Sequence, residues 1–534
     1  MATSFMTRLQ QVPGAFGHDA AGMACIETHI SWVLLAGDFA YKFKKPLKLD
    51  FLDYSTPALR RAACEEELRI NRRTAAQLYL GLVAVVGTPQ APRLRPLAQL
   101  RDDEVVLDWG VQMRRFPQDA LLLHQLEQGV LSHETIDRLA RQLAGFHAQA
   151  AVAPPDGPWG DAATIRQSVA DNFAPVLQAL ADAPLAATVR AVQRWSEEQG
   201  AQLAPRMAQR RAQGWVRECH GDLHLGNVVL LDGQPLLFDA IEFAPALRWI
   251  DVLADLAFVL MDLHAHGRAD LGWRLLNGYL EHTGDYADLP LLSYYQSYRA
   301  MVRAKVVALR LAQLGGPDKA LQEQLARYVR LAHACTQPRR PVLWLLSGVS
   351  GSGKSSQTQA LIERLGLVRI RSDVERKRLY GLPPLVRSAG VLPQGIYTPQ
   401  ASARTYARLH ELARAVLTGG WPVLLDATFL RRSQRQPLIA LAQELGLPCR
   451  LLVLDAPPEV LRQRVAQRQA RGDDPSEADL TVLEQQLQQR EPLAPEEQAL
   501  AVRVDTRQPV DWAAVLPPSW WRPEEGAGEA QALG

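Results

Sequence analysis

At residues 348–355 the chain reads GVSGSGKS, a match to G-x-x-x-x-G-K-[ST]. An apolar run, VLWLLSG, leads into it, and a segment of helical period, QTQALIERLG, follows. Gly348, Gly351 and Gly353 permit backbone geometry closed to other residues, so the loop's N–H groups can gather phosphate oxygens at a helix N-terminus. Strand, loop and helix in that order belong to a parallel sheet covered by helices. The later runs LVRIRSD, PVLLDAT, RLLVLDA and AVRVDT have strand length and alternate with helical segments such as ARLHELARAVLTG. Together they predict an α/β domain with a five-stranded, doubly wound parallel sheet. Ligands bind such sheets at the carboxyl ends of the strands. Three of the runs are expected to end there in Asp373, Asp426 and Asp455.

The loop residues Gly348, Ser350, Gly351, Ser352, Gly353, Lys354, Ser355 and Ser356 are candidate nucleotide ligands. Lys354 is expected to reach the β/γ-phosphates of ATP, and the Ser355 hydroxyl to ligate Mg²⁺. Asp426 is the candidate for the same metal shell. Asp373 is the candidate general base for a substrate hydroxyl, and Arg376, one helical turn on, the clamp for an anionic substrate group. The plainer alternative is a helix-capping aspartate with a solvated arginine. In RQRVAQRQARGDDPSEADL, Arg464 and Arg468 share a helix face and Arg471 follows. Such a lid would neutralise charge developing during phosphoryl transfer and exclude water; a solvated basic face is the alternative.

Residues 341 to about 510 resemble P-loop kinases of the zeta-toxin, gluconate-kinase and polynucleotide-kinase type. The matching stretches are GVSGSGKS, RSDVERKRLYG, VLLDATF and the arginine-bearing lid. The resemblance implies that Asp373 faces the acceptor hydroxyl and that Arg464, Arg468 and Arg471 contact ATP phosphates. Residues 383–406 would shape acceptor recognition.

A second signature lies upstream. HGDLHLGN, residues 220–227, has the spacing H-x-D-x-x-x-x-N of a kinase catalytic loop. Asp222 would act on the acceptor hydroxyl, and Asn227 would hold Mg²⁺. NVVLLDGQPLLFDAIEF then predicts a β-hairpin with an Asp-Gly turn, whose second strand delivers Asp239 to the same metal. In FAYKFKKPL, Lys42 is the candidate phosphate-binding lysine and Lys44, on the same face, its rival. In CEEELRINRR, Glu67 is the candidate ion-pair partner, with Glu66 the alternative. VQMRRF, including Met113, is placed where backbone would meet adenine.

Residues 20–335 resemble the aminoglycoside phosphotransferase-like kinases. Gly221 stands where protein kinases carry arginine, no A-P-E motif follows, and the metal strand reads FDAIEF in place of D-F-G. These departures favour a small-molecule kinase. A glycine-rich G-x-G-x-x-G cover loop is also lacking. The whole chain resembles bacterial proteins described as bifunctional aminoglycoside phosphotransferase/ATP-binding proteins.

The 534 residues exceed one ordinary core. The expected division is 1–335, an α+β bilobal protein-kinase-like domain whose small lobe ends near 116; 336–518, the P-loop kinase; and 519–534, a disordered tail. The net charge is +2, and from residue 341 onward 23 basic residues face 21 acidic ones. A polynucleotide needs several phosphate contacts, so nucleic acid is the less favoured partner and a small-molecule acceptor the favoured one. Five scattered cysteines form no C-x-x-C pair, and neither a leader peptide nor a membrane span is read from the sequence. A cytoplasmic protein is expected. The expected activity is a pair of ATP- and Mg²⁺-dependent kinases acting on hydroxyls of sugar-like or nucleotide-sugar metabolites. Alternatives are an ATPase switch with a ligand-sensing domain, and a nucleic-acid end-processing kinase.

Overall fold

The computed structural model describes residues 2–12, 14–20, 22–49, 52–180, 182–388, 396, 398–471 and 474–521. Two compact units divide them. The first comprises Met1–Arg138, Gly145–Thr164 and Met207–Val259; the second comprises Leu139–Ala144, Ile165–Arg206 and the chain from Leu260 onward. The expected cut at 336 falls on the last residue of the helix Lys319–Thr336, ahead of the strand Leu343–Ser347 and inside the second unit.

The first unit is built on a six-stranded sheet in the spatial order Ala24–Glu27, Ser31–Ala36, Phe39–Lys44, Val106–Arg114, Tyr79–Thr88, Ala91–Pro96. Neighbours are antiparallel throughout. The helix Pro57–Ala75 packs on it. Thr56 starts that helix, its hydroxyl accepting the Leu59 N–H at 3.3 Å, and Pro57 sits where a missing N–H costs nothing. The buried residues Arg60, Cys64, Glu67, Leu68, Asn71 and Ala75 recur at helical spacing, so one face of the helix carries Glu67 into the core beside Cys64, Leu68 and Ala75. The hairpin Val228–Leu231/Gln234–Leu237 turns at Asp232 (φ 49°) and Gly233 (φ 71°). Both residues are left-handed, as a two-residue type I′ turn requires.

In the second unit five strands run parallel in the order Val368–Arg371, Val423–Asp426, Leu343–Ser347, Cys449–Asp455, Ala501–Asp505. Trp344, Leu346, Leu361, Ile362, Leu424, Leu452 and Val504 fill one face. The expected sheet is therefore present, with one correction of register. The second strand stops at Arg371, and Asp373 lies in the first turn of the helix Ser372–Arg378. Asp426 and Asp455 do end their strands.

The tail expectation also needs correcting. Pro518–Trp521 is helical, and the Trp520 ring packs edge-on against Trp344 at 5.7 Å. An apolar ring with a buried partner has reason to stay. Residues 522–534 lie outside those described. No helix among the described residues is long and apolar enough to cross a membrane.

Val368–Arg371 is an edge strand, with a row of backbone groups open to solvent or to another chain. Asn277, on the helix Ala269–Thr283, closes it. Its Nδ2 donates to Leu367 O at 2.9 Å, and its Oδ1 accepts the Arg369 N–H at 2.6 Å. One side-chain amide thus imitates a neighbouring strand. Asn277→Ala leaves both backbone groups buried without partners, at a cost of about 2–4 kcal/mol. A lowered urea midpoint, measured on the full chain, checks this; a shift under about 0.5 kcal/mol would show that the amide does not seal the edge.

Candidate functional site

In the first unit, Lys42 and Lys44 are two residues apart on one strand and so face the same side. Both meet Glu67: Lys42 Nζ lies 2.8 Å from Oε1 and Lys44 Nζ 2.6 Å from Oε2. They then diverge. Lys42 donates to Asp239, whereas Lys44 donates to Glu242, which also accepts the Tyr54 hydroxyl at 2.7 Å. Glu66 turns away to Arg69 and Arg248. Burial opposes the charge on Lys42, but the carboxylates of Asp239 and Glu67 outweigh it and hold the ammonium well above its ordinary pKa. Burial of Glu242 is likewise outweighed by Lys44 and Lys42, which bring its carboxyl down to about 2.

The loop 220–227 is built on Asp255. That carboxylate accepts the N–H groups of His220 at 3.0 Å and Gly221 at 2.9 Å, and lies 3.2 Å from His147 Nε2. Gly221 has φ 87°, and a Cβ there would sit 2.6 Å from Leu247 O, so a side chain at this position is excluded. His220 is fully buried, with Nε2 2.8 Å from Phe238 O, and burial lowers its pKa. It braces the loop as a neutral ring. Asn227 Nδ2 donates to Asp222 O at 2.9 Å and Asp222 Oδ2 at 3.4 Å, which leaves Oδ1 as the acceptor for a cation.

Asp239 follows the hairpin in the left-handed region at φ 62°, a conformation that costs a non-glycine residue energy. Three neighbours hold it: Tyr79 OH accepts its N–H at 3.1 Å, Asn71 Oδ1 accepts the Ala240 N–H at 2.8 Å, and Thr74 Oγ1 donates to Leu237 O at 2.6 Å. Asp239 and Asn227 offer oxygen donors, which suit a hard cation such as Mg²⁺.

Met113 lies inside the sheet, paired with Ala40 on one side and Tyr79 on the other. Its backbone is flanked by strands on both sides, and the strand ends at Arg114, within the stretch 111–116. Its side chain packs against the apolar cluster that includes Val111, Tyr79 and Leu82. The turn Gly37–Asp38 has room for two residues, and a Cβ on Gly37 would meet Asp19 O at 2.4 Å. No long cover loop fits there.

In the second unit, Gly351 (φ 81°) and Gly353 (φ 78°) take left-handed turns, and a Cβ on Gly351 would sit 2.7 Å from Leu461 O. Backbone alone fits this cradle. Lys354 folds back on the loop, donating to Gly348 O at 2.8 Å and Val349 O at 2.9 Å. Ser355 Oγ donates to Asp426 Oδ2 at 2.6 Å, so the hydroxyl and carboxylate expected to share Mg²⁺ are in contact. Ser352 Oγ is 3.4 Å from Lys354 Nζ, and Ser356 Oγ donates to Gly353 O at 3.3 Å.

Asp373, Arg376, Arg464, Arg468 and Arg471 line the same cavity, of about 1320 Å³, as the loop. Arg464 supports the loop itself: Nη2 donates to Thr506 O at 2.5 Å and Nη1 to Gly351 O at 3.4 Å. Arg468 donates to Ala478 O at 2.7 Å, and Arg471 ends the helix Pro458–Arg471. Residues 472 and 473 of the expected lid lie outside those described, as do 389–395 and 397 of the expected acceptor segment.

Two residues of this cavity had no signal in the sequence. Gln486 Oε1 accepts the Ser350 N–H at 2.7 Å, taking up an amide of the phosphate cradle. Arg371 stands beside Asp426. A glutamine in a glutamine-rich helix and an arginine at a strand end match no spacing rule, and contact alone reveals them.

A family model described as an AAA domain matches residues 343–493. The uncharacterized protein Rv2004c of Mycobacterium tuberculosis (strain ATCC 25618 / H37Rv) is 32% identical over 403 residues, 76% of this chain and 78% of that protein. Among solved structures, a gluconokinase from Sinorhizobium meliloti 1021 is 24% identical over 36% of this chain and 94% of its own, with a TM-score of 0.24. A choline/ethanolamine kinase family protein from Mesorhizobium loti is 14% identical over 62% of this chain and 99% of its own, with a TM-score of 0.34.

Burial lowers the pKa of Lys354 to about 8. A phosphate against the ammonium restores the charged form, so nucleotide binding near pH 8.5 should take up roughly half a proton or more. Calorimetric titrations in two buffers of different ionisation enthalpy measure the uptake, which should vanish in Lys354→Ala and shrink at pH 7.

Proposed function

The chain belongs to the family of the mycobacterial protein Rv2004c, and from that premise and the two sites we propose that it is a fused pair of ATP-dependent phosphotransferases. Each half transfers the γ-phosphoryl group of ATP to a hydroxyl of a small sugar-like or nucleotide-sugar metabolite. The functional division follows the chain at about 336, and residues 336–518 form the second kinase segment. The observation that carries the reading is the contact of Ser355 with Asp426 at the end of a loop built for phosphate, in one cavity with Asp373.

In the second half, the cradle amides and Lys354 bind the phosphates. Asp373 takes the proton of the acceptor hydroxyl as its oxygen attacks the γ-phosphorus, and ADP departs from the opposite side. Arg376 holds an anionic group of the acceptor, and Arg468 and Arg471 face the charge that develops. Ser355 and Asp426 hold Mg²⁺, which when bound neutralises phosphate charge. In the first half, Lys42, positioned by Glu67, binds phosphate; Asp222 acts on the acceptor hydroxyl; Asn227 and Asp239 hold the metal. The near-neutral charge of the second half supports a small acceptor over a polynucleotide.

Lys354→Ala should lower the second activity at least about a hundredfold and leave the first nearly unchanged. Transfer of labelled γ-phosphate to sugars, nucleotide sugars and 5′-OH oligonucleotides at two salt concentrations reads out the acceptor. Salt-sensitive labelling confined to the oligonucleotide would replace this reading with an end-processing kinase.

The first half makes a separate demand. Asp222→Ala should abolish its transfer while nucleotide still binds, whereas Asp239→Ala should weaken Mg·ATP binding itself. Full turnover by Asp222→Ala with an identified acceptor would remove residues 220–227 from the chemistry.

A further inference from the structure

We propose that the metal corner of the P-loop site is set by a residue outside the P-loop segment: Glu281 positions Arg371, and Arg371 positions Asp426. The inference rests on the assignment of Ser355 and Asp426 as metal ligands.

Glu281 belongs to the helix Ala269–Thr283, 55 residues upstream of the expected cut at 336. Helix and P-loop sheet lie in one compact unit. Asn277 fixes the helix against the edge strand, and Arg378 Nη2 donates to Glu281 O at 2.8 Å from the far side. The helix thus delivers the Glu281 carboxylate to the end of that strand. One oxygen receives Arg369, with Nη2 at 2.6 Å and Nε at 2.9 Å. The other lies 3.7 Å from Arg371 Nη1.

Arg371 lines the nucleotide cavity and is turned toward two more carboxylates. Its Nη2 is 3.1 Å from Asp474 Oδ2, and its Nε is 3.8 Å from Asp426 Oδ2. That Asp426 oxygen is the one bonded to Ser355. Glu281, Arg371, Asp426 and Ser355 therefore form a continuous line from the helix to the metal corner.

The alternation of charge explains why the line has to begin at Glu281. Arg369 and Arg371 point the same way from one short strand, and both are largely buried, with side chains 11% and 12% exposed. Two guanidinium groups so placed repel, and one carboxylate between them removes the repulsion. Without it Arg371 is pushed from Arg369 toward Asp474, 3.1 Å away, and Asp426 keeps Ser355 but loses its neighbouring cation. Groups in contact with a metal ligand set its orientation, and their loss costs typically about ten- to a hundredfold in metal affinity.

The test uses the full-length protein with a fluorescent ATP analogue. Nucleotide affinity is measured without divalent metal and then across a Mg²⁺ titration; ATP turnover is followed in parallel. Glu281→Gln keeps size and removes charge. It should raise the Mg²⁺ half-saturation by about tenfold and lower kcat, with metal-free affinity within about twofold of wild type. Glu281→Asp should recover part of the Mg²⁺ response. Arg371→Gln, at the cavity wall, should reproduce the defect and decides the matter where Glu281→Gln does not fold. Wild-type Mg²⁺ dependence in a folded Glu281→Gln or in Arg371→Gln, or equal loss of metal-free and Mg²⁺-dependent binding in both variants, overturns the proposal. Lys354→Ala separates this from the underlying assignment: if wild-type binding shows no dependence on Lys354 or on Mg²⁺, the site assignment itself has failed.

Discussion

Glu67 is a buried carboxylate shared by two buried lysines, and the first unit is organised around it. A lone carboxylate in that position would be expelled or protonated. Two lysines from one strand make its burial tolerable, and each carries the connection further, Lys42 to Asp239 and Lys44 to Glu242. Sheet, helix and the end of the hairpin are thereby fixed to one another by charge. Removing Glu67 leaves each lysine with one carboxylate partner, Asp239 for Lys42 and Glu242 for Lys44, and cuts the link between strand and helix. The same helix supplies Asn71 and Thr74, which hold the left-handed backbone at Asp239. Strain at that aspartate is sustained because its surroundings allow no other course.

The second unit solves a related problem with different parts. Its phosphate cradle is backbone, made possible by glycines, and its metal corner is a hydroxyl against a carboxylate. In both units an aspartate assigned to the metal already has a partner from the protein: Lys42 for Asp239, Ser355 and Arg371 for Asp426. Each carboxylate thus already has a polar partner, which an arriving ligand must replace or share.

The sequence was most legible where chemistry is local. The P-loop, the five parallel strands and the Asp-Gly hairpin follow from short-range rules, because turns, periodicity and glycine conformations are decided within a few residues. Reach was harder to read. Two lysines on one strand face are equivalent until the third dimension shows which one meets Asp239. Glu66 and Glu67 are neighbours on a helix, and the angle between successive residues sends only the second to the lysines. Asp373 was displaced by two residues because the backbone turns helical at Ser372. Gln486 and Glu281 were silent, since each acts on a site far away in the chain.

Asn277 closes the edge of a sheet whose strands come after it in the sequence. On the ribosome the helix that carries it is complete 85 residues before Val368 emerges, so the cover for the edge strand is already synthesised when the strand appears. A chain begun at the apparent start of the P-loop segment would be born with that edge open, and its first failing would be clumping in the cell, well before any defect of catalysis could be measured.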